Sequence, residues 1–559
     1  MFERTIDDVA RLNRRAFLCA AAGGATLTVL PCRVAAVVPT RARIVITGAG
    51  AAGLSMAARL VARFEGARIT VVDARETHYF QPGFPLVYAG LWTADRVRVP
   101  NSSYMPAGVE WIRESVTAFD PDANVVTTST GRRLAYDFLV VATGLTLDYS
   151  AIAGMTTDLV GKHSIGFFYL SPEAAAQTGR LVDDFVARGG VGLFGRPATE
   201  MKYAGAPLKA AFIAEDKLRL AGRSGRAEIV YHTPFQNLFA VAPVHEKVKA
   251  LFEARSIKYQ YSSNLIAIGP GRKFATYATP QGRVEMAYDF IHIIPPMRAP
   301  DAVRNSPLSW REGPLAADGW VEVDRATLRH RRYPNVFALG DVAGVPRGKT
   351  AASVKWQAPV AADNLAALIQ GREPTAAYNS YTSCPMVTGY ARAMLIEFDY
   401  EGQLTPSFWF ISPLDELWVS WVIEGSRCVL PTSRCCAVTA EAGGARERIR
   451  SPYIRCDLRR TPRACRLAGC RRARPDHPRR RSNRSTTAVP RRPPLARPAA
   501  ADGDWSCRRH HRSDCPASDD RRNDRARARR GFRGSRLVCN GRRGRGRCRR
   551  RGGDRVSPV

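Results

Sequence analysis

The chain opens its ordered pattern with an unbroken apolar run, Ile44-Val45-Ile46, which predicts a short buried strand. Leu54, Met56, Leu60 and Val61 then recur at the spacing of one helix face. "ARITVVDA" predicts a second strand ending at Asp73, so the three elements form a βαβ unit. "YDFLVVATG" and "YPNVFALGD" predict two more strands, each broken by a glycine. "TGRLVDDFVARG" reads as a helix and runs into the apolar stretch "GGVGLFG", itself a strand. After Glu424 the periodicity stops, and segments such as "RRARPDHPRRRSNRS" hold too little apolar surface to bury a core.

What lies between the first strand and its helix carries the first chemistry. Gly48-x-Gly50-x-x-Gly53, with Ala52 inside it, follows the strand directly. The first glycine permits a tight turn, the second lets a pyrophosphate approach the backbone, and the third allows close helix–strand packing. Phosphates would rest on the helix N-terminus, where unpaired N–H groups and the dipole favour anions. Asp73, twenty residues past Gly53, is placed to bind a ribose hydroxyl pair. A second match, Gly190-x-Gly192-x-x-Gly195, has its glycines inside the strand and is followed by Arg196-Pro197 rather than a helix. No NAD(P)H site is expected there.

Charge changes this picture only at the end of the chain. The formal net charge is +34, but residues 425–559, with 39 Arg, no Lys and 11 acidic residues, carry +28 of it. A nucleic-acid arm is one reading of such a tail. An Arg, Ala, Pro, Gly and Cys composition without Lys is also what a GC-rich gene yields when read out of frame, so residues 424–559 are expected to be a disordered C-terminal tail produced by a frameshift near residue 424, with a genuine disordered tail as the second reading and no nucleic-acid partner. Cysteine follows the same division: of 13, Cys19 and Cys32 lie near the start, ten follow residue 427, and Cys384 stands alone between. No disulfide framework and no metal-ligand spacing arises from this.

At the N-terminus, Arg14-Arg15 precedes Phe17-Leu18 and an Ala/Gly-rich apolar run. This resembles a twin-arginine export signal, which implies the periplasmic face of a bacterial inner membrane. Residues 1–38 are expected to be this leader. No run reaches the roughly 18 apolar residues of a membrane-spanning helix, so any membrane contact is expected to be peripheral.

Two distant segments decide the nucleotide. Ala142-Thr143-Gly144 and Gly340-Asp341 break their strands in the manner of two-domain flavoprotein oxidoreductases. "HYFQPGF", "PATEMKYAGAPLKA", "HIIPPMRAPD", "RRYPNVFALGD", "GKTAASV" and "YTSCPMVTGYARAMLIEFDY" together resemble the sulfide:quinone oxidoreductase family over residues 40–423. The resemblance implies an α/β chain of tandem Rossmann-like domains, FAD, sulfide as electron donor and a membrane quinone as acceptor. The FAD domain would comprise residues 39–150 and 300–375, a second Rossmann-like domain 151–299, and a membrane- and quinone-proximal segment 376–423. Asp73, Gln81, Val116, Asp341 and Lys349 would line the flavin, with Thr143, Gly144 and Gly340 beside it.

The family's chemistry runs through two cysteines that form a disulfide near the flavin. Sulfide attacks that bond and leaves a persulfide, and the freed thiolate delivers two electrons to the flavin. Cys384 matches one member of the pair. The other belongs immediately before "AGAPLK", at a helix N-terminus that would favour a thiolate, and there the chain has Tyr203. A phenol ionises near 10 and holds no sulfane sulfur. Three readings follow: an enzyme inactive or slowed towards sulfide, one that uses Cys384 alone, or an error in the sequence. Besides sulfide:quinone oxidoreduction, a flavin-binding homologue without turnover and another flavin quinone reductase, such as a type II NADH dehydrogenase, remain as alternatives. The aromatics of "TPSFWFISPLDELWVSWVI" suit an interfacial face.

Overall fold

The computed structural model describes residues 37–427. The expected leader, but for its last two residues, and the Arg-rich tail beyond residue 427 lie outside the described residues.

Strand β1 (Arg43–Thr47) buries every residue after its first arginine, as its apolar run predicts. Helix α1 (Ala51–Arg63) turns Leu54, Met56 and Leu60 into the core. Strand β2 (Arg68–Val72) pairs in parallel with β1, Arg43 opposite Arg68. Then come β3 (Glu110–Ile112), an antiparallel meander β4–β6 (Val116–Asp120, Val125–Thr128, Arg133–Ala135) and β7 (Phe138–Val141).

A second unit repeats the plan. It contains β8 (Ile165–Gly166), α2 (Pro172–Arg188), β9 (Gly190–Gly195), α3 (Ala206–Leu220), β10 (Ala227–His232), α4 (Ala242–Ala254) and β11 (Lys258–Gln260). A meander β12–β14 (Asn264–Gly269, Phe274–Thr279, Gly282–Ala287) and β15 (Phe290–His292) follow. The helix α2 starts where sequence rules put it: Ser171 accepts from the Ala174 N–H at 3.1 Å, Pro172 opens the first turn, and Gly189 at φ 84° closes the helix. The chain then returns to the first unit with β16 (Val336–Ala338) and α5 (Ala351–Ile369).

The two parallel sheets have orders β16-β7-β1-β2-β3 and β8-β15-β9-β10-β11. Each places a strand that feeds a helix, β1 or β9, in the middle, and each inserts a three-stranded meander before the strand that pairs on its other side. The fold is therefore tandem Rossmann-like. Each sheet has its own apolar core, the first containing Ile44, Val140 and Phe337, the second Phe194, Phe212 and Tyr231. The hairpin of β17 (Met386–Gly389) and β18 (Arg392–Met394), with Cys384 just before it, packs into the second core. Asp216, fully buried on α3, accepts from Arg392 Nη2 at 2.7 Å and the Tyr390 N–H at 2.8 Å, which ties that hairpin to the helix. Among the described residues no helix is long and apolar enough to cross a membrane, and no cluster of His, Cys, Asp and Glu could hold a metal.

Candidate functional site

A cleft of about 1000 Å3 opens at the carboxyl end of the first sheet. Its floor is the loop between β1 and α1. Gly48 has φ +106°, and a Cβ there would lie 2.3 Å from the Ala142 carbonyl oxygen. A Cβ on Gly53 would lie 1.7 Å from the Gly48 carbonyl oxygen, so only glycine lets helix and strand meet. Gly50 faces open space, with nothing within 4 Å of a Cβ position. It also begins α1 without a side-chain cap. First-turn N–H groups lack helical partners, and Gly50, Ala51 and Ala52 line the cleft where these groups begin. Thr143 Oγ1, also on the lining, is buried without a hydrogen-bond partner among the described residues. Gly144, Gly340, Asp341 and Gln81, also expected at the cofactor, line the cleft too. A dinucleotide with a pyrophosphate fits this cradle: open glycine, unpaired N–H groups and an orphaned hydroxyl all face one space.

Charge is arranged around it. Asp73 ends the second strand and accepts from the Ala49 N–H at 2.7 Å and the Arg75 N–H at 2.8 Å, with Arg75 Nη2 at 3.0 Å from its carboxylate. Burial pushes its pKa up, but Arg75 and these N–H groups outweigh burial and hold it below the ordinary value. Lys202 reaches the cleft from the second unit and donates to Gln81 Oε1 at 2.8 Å. Burial pushes its pKa down to about 8, against the pull of Asp341. Burial pushes Asp341 upward in turn, opposed by Lys202 and Lys349.

Three positions expected to line the flavin, Asp73, Val116 and Lys349, are not among the residues that line the cleft. Val116 starts β4, in the meander, and does not line the cleft. Lys349 is buried beneath it: its ammonium donates to the carbonyls of Asp341 at 2.6 Å and Ala343 at 3.2 Å and lies 3.5 Å over the Trp320 ring. It therefore braces the Asp341 loop. Arg75, Asn101, Lys202 and Thr350 line the cleft without having been singled out by sequence. Arg75, two residues past the strand-ending acid, was the one with a positional signal.

The sulfur packs on the turn that carries the phenol. Tyr203 lines the cleft at φ +53°, a left-handed conformation, and its carbonyl accepts from the Ala206 N–H at 2.7 Å as α3 begins. Its ring stacks on Tyr169 with centroids 4.8 Å apart. The buried thiol of Cys384 packs on the same helix start: a Cβ on Gly205, two residues past Tyr203, would lie 2.7 Å from the Cys384 Sγ. The strand-end loop 196–205 thus carries Lys202 and Tyr203 to the cleft and offers Gly205 to the sulfur.

Fold and cleft define an FAD-dependent oxidoreductase of the two-Rossmann type. Residues 42–172 match the family model for pyridine nucleotide-disulphide oxidoreductases. Over 370 residues the chain is 33% identical to the mitochondrial sulfide:quinone oxidoreductase of Mus musculus, covering 66% of this chain and 80% of that one. The Dictyostelium discoideum counterpart is 35% identical over 369 residues, with the same coverage. The crystal structure of the Aquifex aeolicus sulfide:quinone oxidoreductase superposes with a TM-score of 0.59 at 22% identity, covering 69% of this chain and 90% of that one, a likeness of fold. The chain belongs to the sulfide:quinone oxidoreductase family, and FAD is its cofactor.

Proposed function

We propose that the protein takes electrons from sulfide and passes them to a membrane quinone, with its sulfide step severely slowed because Tyr203 stands where a second redox sulfur is needed. FAD, when bound, supplies the two-electron carrier between donor and acceptor. The chain's own residues account for the rest. Gly50 and the α1 N-terminus would hold the phosphates, and Asp73, which accepts from the Ala49 N–H at the cleft floor, would take the ribose with Arg75 beside it. Cys384 sits against the start of α3, where the helix end favours a thiolate. Exchange of sulfide with a disulfide needs two sulfurs within bonding reach, and Cys384 is the one cysteine between Cys32 and Cys428. The observation that carries this reading is the packing of Cys384 Sγ on Gly205, in the turn that begins with Tyr203.

Trp409, 93% exposed, and Phe410, 56% exposed, support peripheral contact with the membrane that holds the quinone. Trp421, by contrast, packs against the second core. Together with the twin-arginine segment, these residues support a place on the periplasmic face of a bacterial inner membrane.

Anaerobic addition of sulfide while the visible flavin absorption is followed tests the reading. Slow bleaching in the natural protein, fast bleaching in Tyr203→Cys, and loss of that gain in Tyr203→Cys/Cys384→Ser are expected. Fast bleaching by the natural protein that persists in Cys384→Ser would contradict it.

A further inference from the structure

A second, much smaller crevice lies at the carboxyl end of the other sheet. Three adjacent strands end on it: Gly195 closes β9, His232 closes β10 and His292 closes β15. The chain leaves β9 towards β10 on one side and fills the other side later with β15. This is the point of reversed strand order at which open α/β sheets bind ligands. No glycine loop serves it, since β9 runs into Arg196-Pro197, and it has well under half the volume of the FAD cleft. A dinucleotide does not fit.

Its polar atoms are nevertheless unmatched. Both ring nitrogens of His292, Nε2 of His232 and Nε of Arg196 are buried without a hydrogen-bond partner among the described residues. His292 is 2% exposed and His232 3%. The imidazoles are held in place: His232 Nδ1 lies 2.9 Å from Ser263 Oγ, its ring stacks 3.8 Å from Tyr277, and His292 sits 5.0 Å from Phe168. Arg196 packs over the Phe235 ring at 4.6 Å. Burying such atoms unpaired is costly, so the cavity is shaped for an occupant that forms hydrogen bonds.

The sign of that occupant follows from the lining. One guanidinium, which only donates, two imidazoles with an N–H each, Ser263 and Asn264 surround the space, and no Asp or Glu lines it. Glu200, the acid on which Arg196 acts, lies in the loop after β9 and outside the cavity. We propose that this crevice is a second binding site, for a small oxoanion of the size of nitrate or sulfate, held by Arg196, His232 and His292. It is separate from the FAD cleft and does not depend on the reading of the sulfide chemistry.

Holoenzyme crystals soaked in selenate, with anomalous difference maps, test the location. Calorimetric titration with sulfate tests the residues. A selenium peak within hydrogen-bond reach of His292 and Arg196 is expected. Arg196→Met and His292→Phe should each weaken sulfate binding about tenfold or more, the scale of a charge-assisted hydrogen bond. An unchanged flavin spectrum reports an intact fold in each variant, and should His292→Phe fail to fold, the half-buried Arg196 position decides alone. Ordered water at the imidazoles with no selenium, or sulfate affinity unaltered in Arg196→Met, would overturn the proposal.

Discussion

The two parallel sheets are built alike and used differently. In the first, three residues, 48–50, join the central strand to its helix, and two of them are glycines that leave room for a pyrophosphate. In the second, ten residues, 196–205, span the same connection. They bring no glycine cradle. They send Lys202 and Tyr203 across to the first unit's cleft and leave behind a small cavity edged by Arg196 and two histidines. The lesson is that the sheet fixes where a ligand can bind, and the loop after the central strand decides what binds.

Changing the loops should break the contrast in order of size. Tyr203→Cys, which gives the long loop a sulfur, should raise the rate of flavin reduction by sulfide about 100-fold or more, the scale of supplying a missing catalytic group; stopped-flow absorbance reads it. Gly50→Leu, which fills open space in the short loop, should weaken FAD binding about 10- to 100-fold while the apoprotein keeps its melting temperature. Fluorescence titration with FAD checks it. NADH should leave the flavin oxidised under anaerobic conditions, because the second sheet lacks a phosphate loop. Rapid bleaching by NADH would erase the distinction between the sheets.

The smallest effect concerns the lysines the second loop and its neighbour bury. Lys202 and Lys349 have folded pKa values pushed down to about 8, against an ordinary value near 10.4. Below pH 8 both are charged in folded and unfolded chains, and the burial penalty is fully felt. Between that pH and the ordinary lysine value the unfolded chain binds more protons, so the apoprotein gains stability as pH rises. Lys202→Met should flatten this rise in denaturant midpoint by about half.

Much of the first unit was legible in sequence because local signals agree there. Apolar strand, glycines, helical stripe and terminal acid each point to the same βαβ unit, and the structure places them so. The false glycine motif was also legible, since its glycines fall inside the strand β9. What was hidden depends on packing between distant segments. Lys202 meets Gln81 across 121 positions. Lys349, expected at the flavin, turns instead to the carbonyls of its own loop because Trp320 and Asp341 close over it. His232 and His292 share a cavity only because β10 and β15 flank β9, and no periodicity in their own segments announces that. The juxtaposition of Cys384 with the Tyr203 turn came from the family resemblance, and residue spacing alone does not foretell it.

The most direct measurement is the covalent state of purified Tyr203→Cys under mild oxidation, read by intact mass and peptide mapping. A loss of two hydrogen atoms, with a cross-linked peptide joining positions 203 and 384, is the predicted result. Two alkylatable thiols at those positions, with no cross-link under any oxidant that leaves the flavin bound, would contradict the claim that Tyr203 holds the place of the missing sulfur.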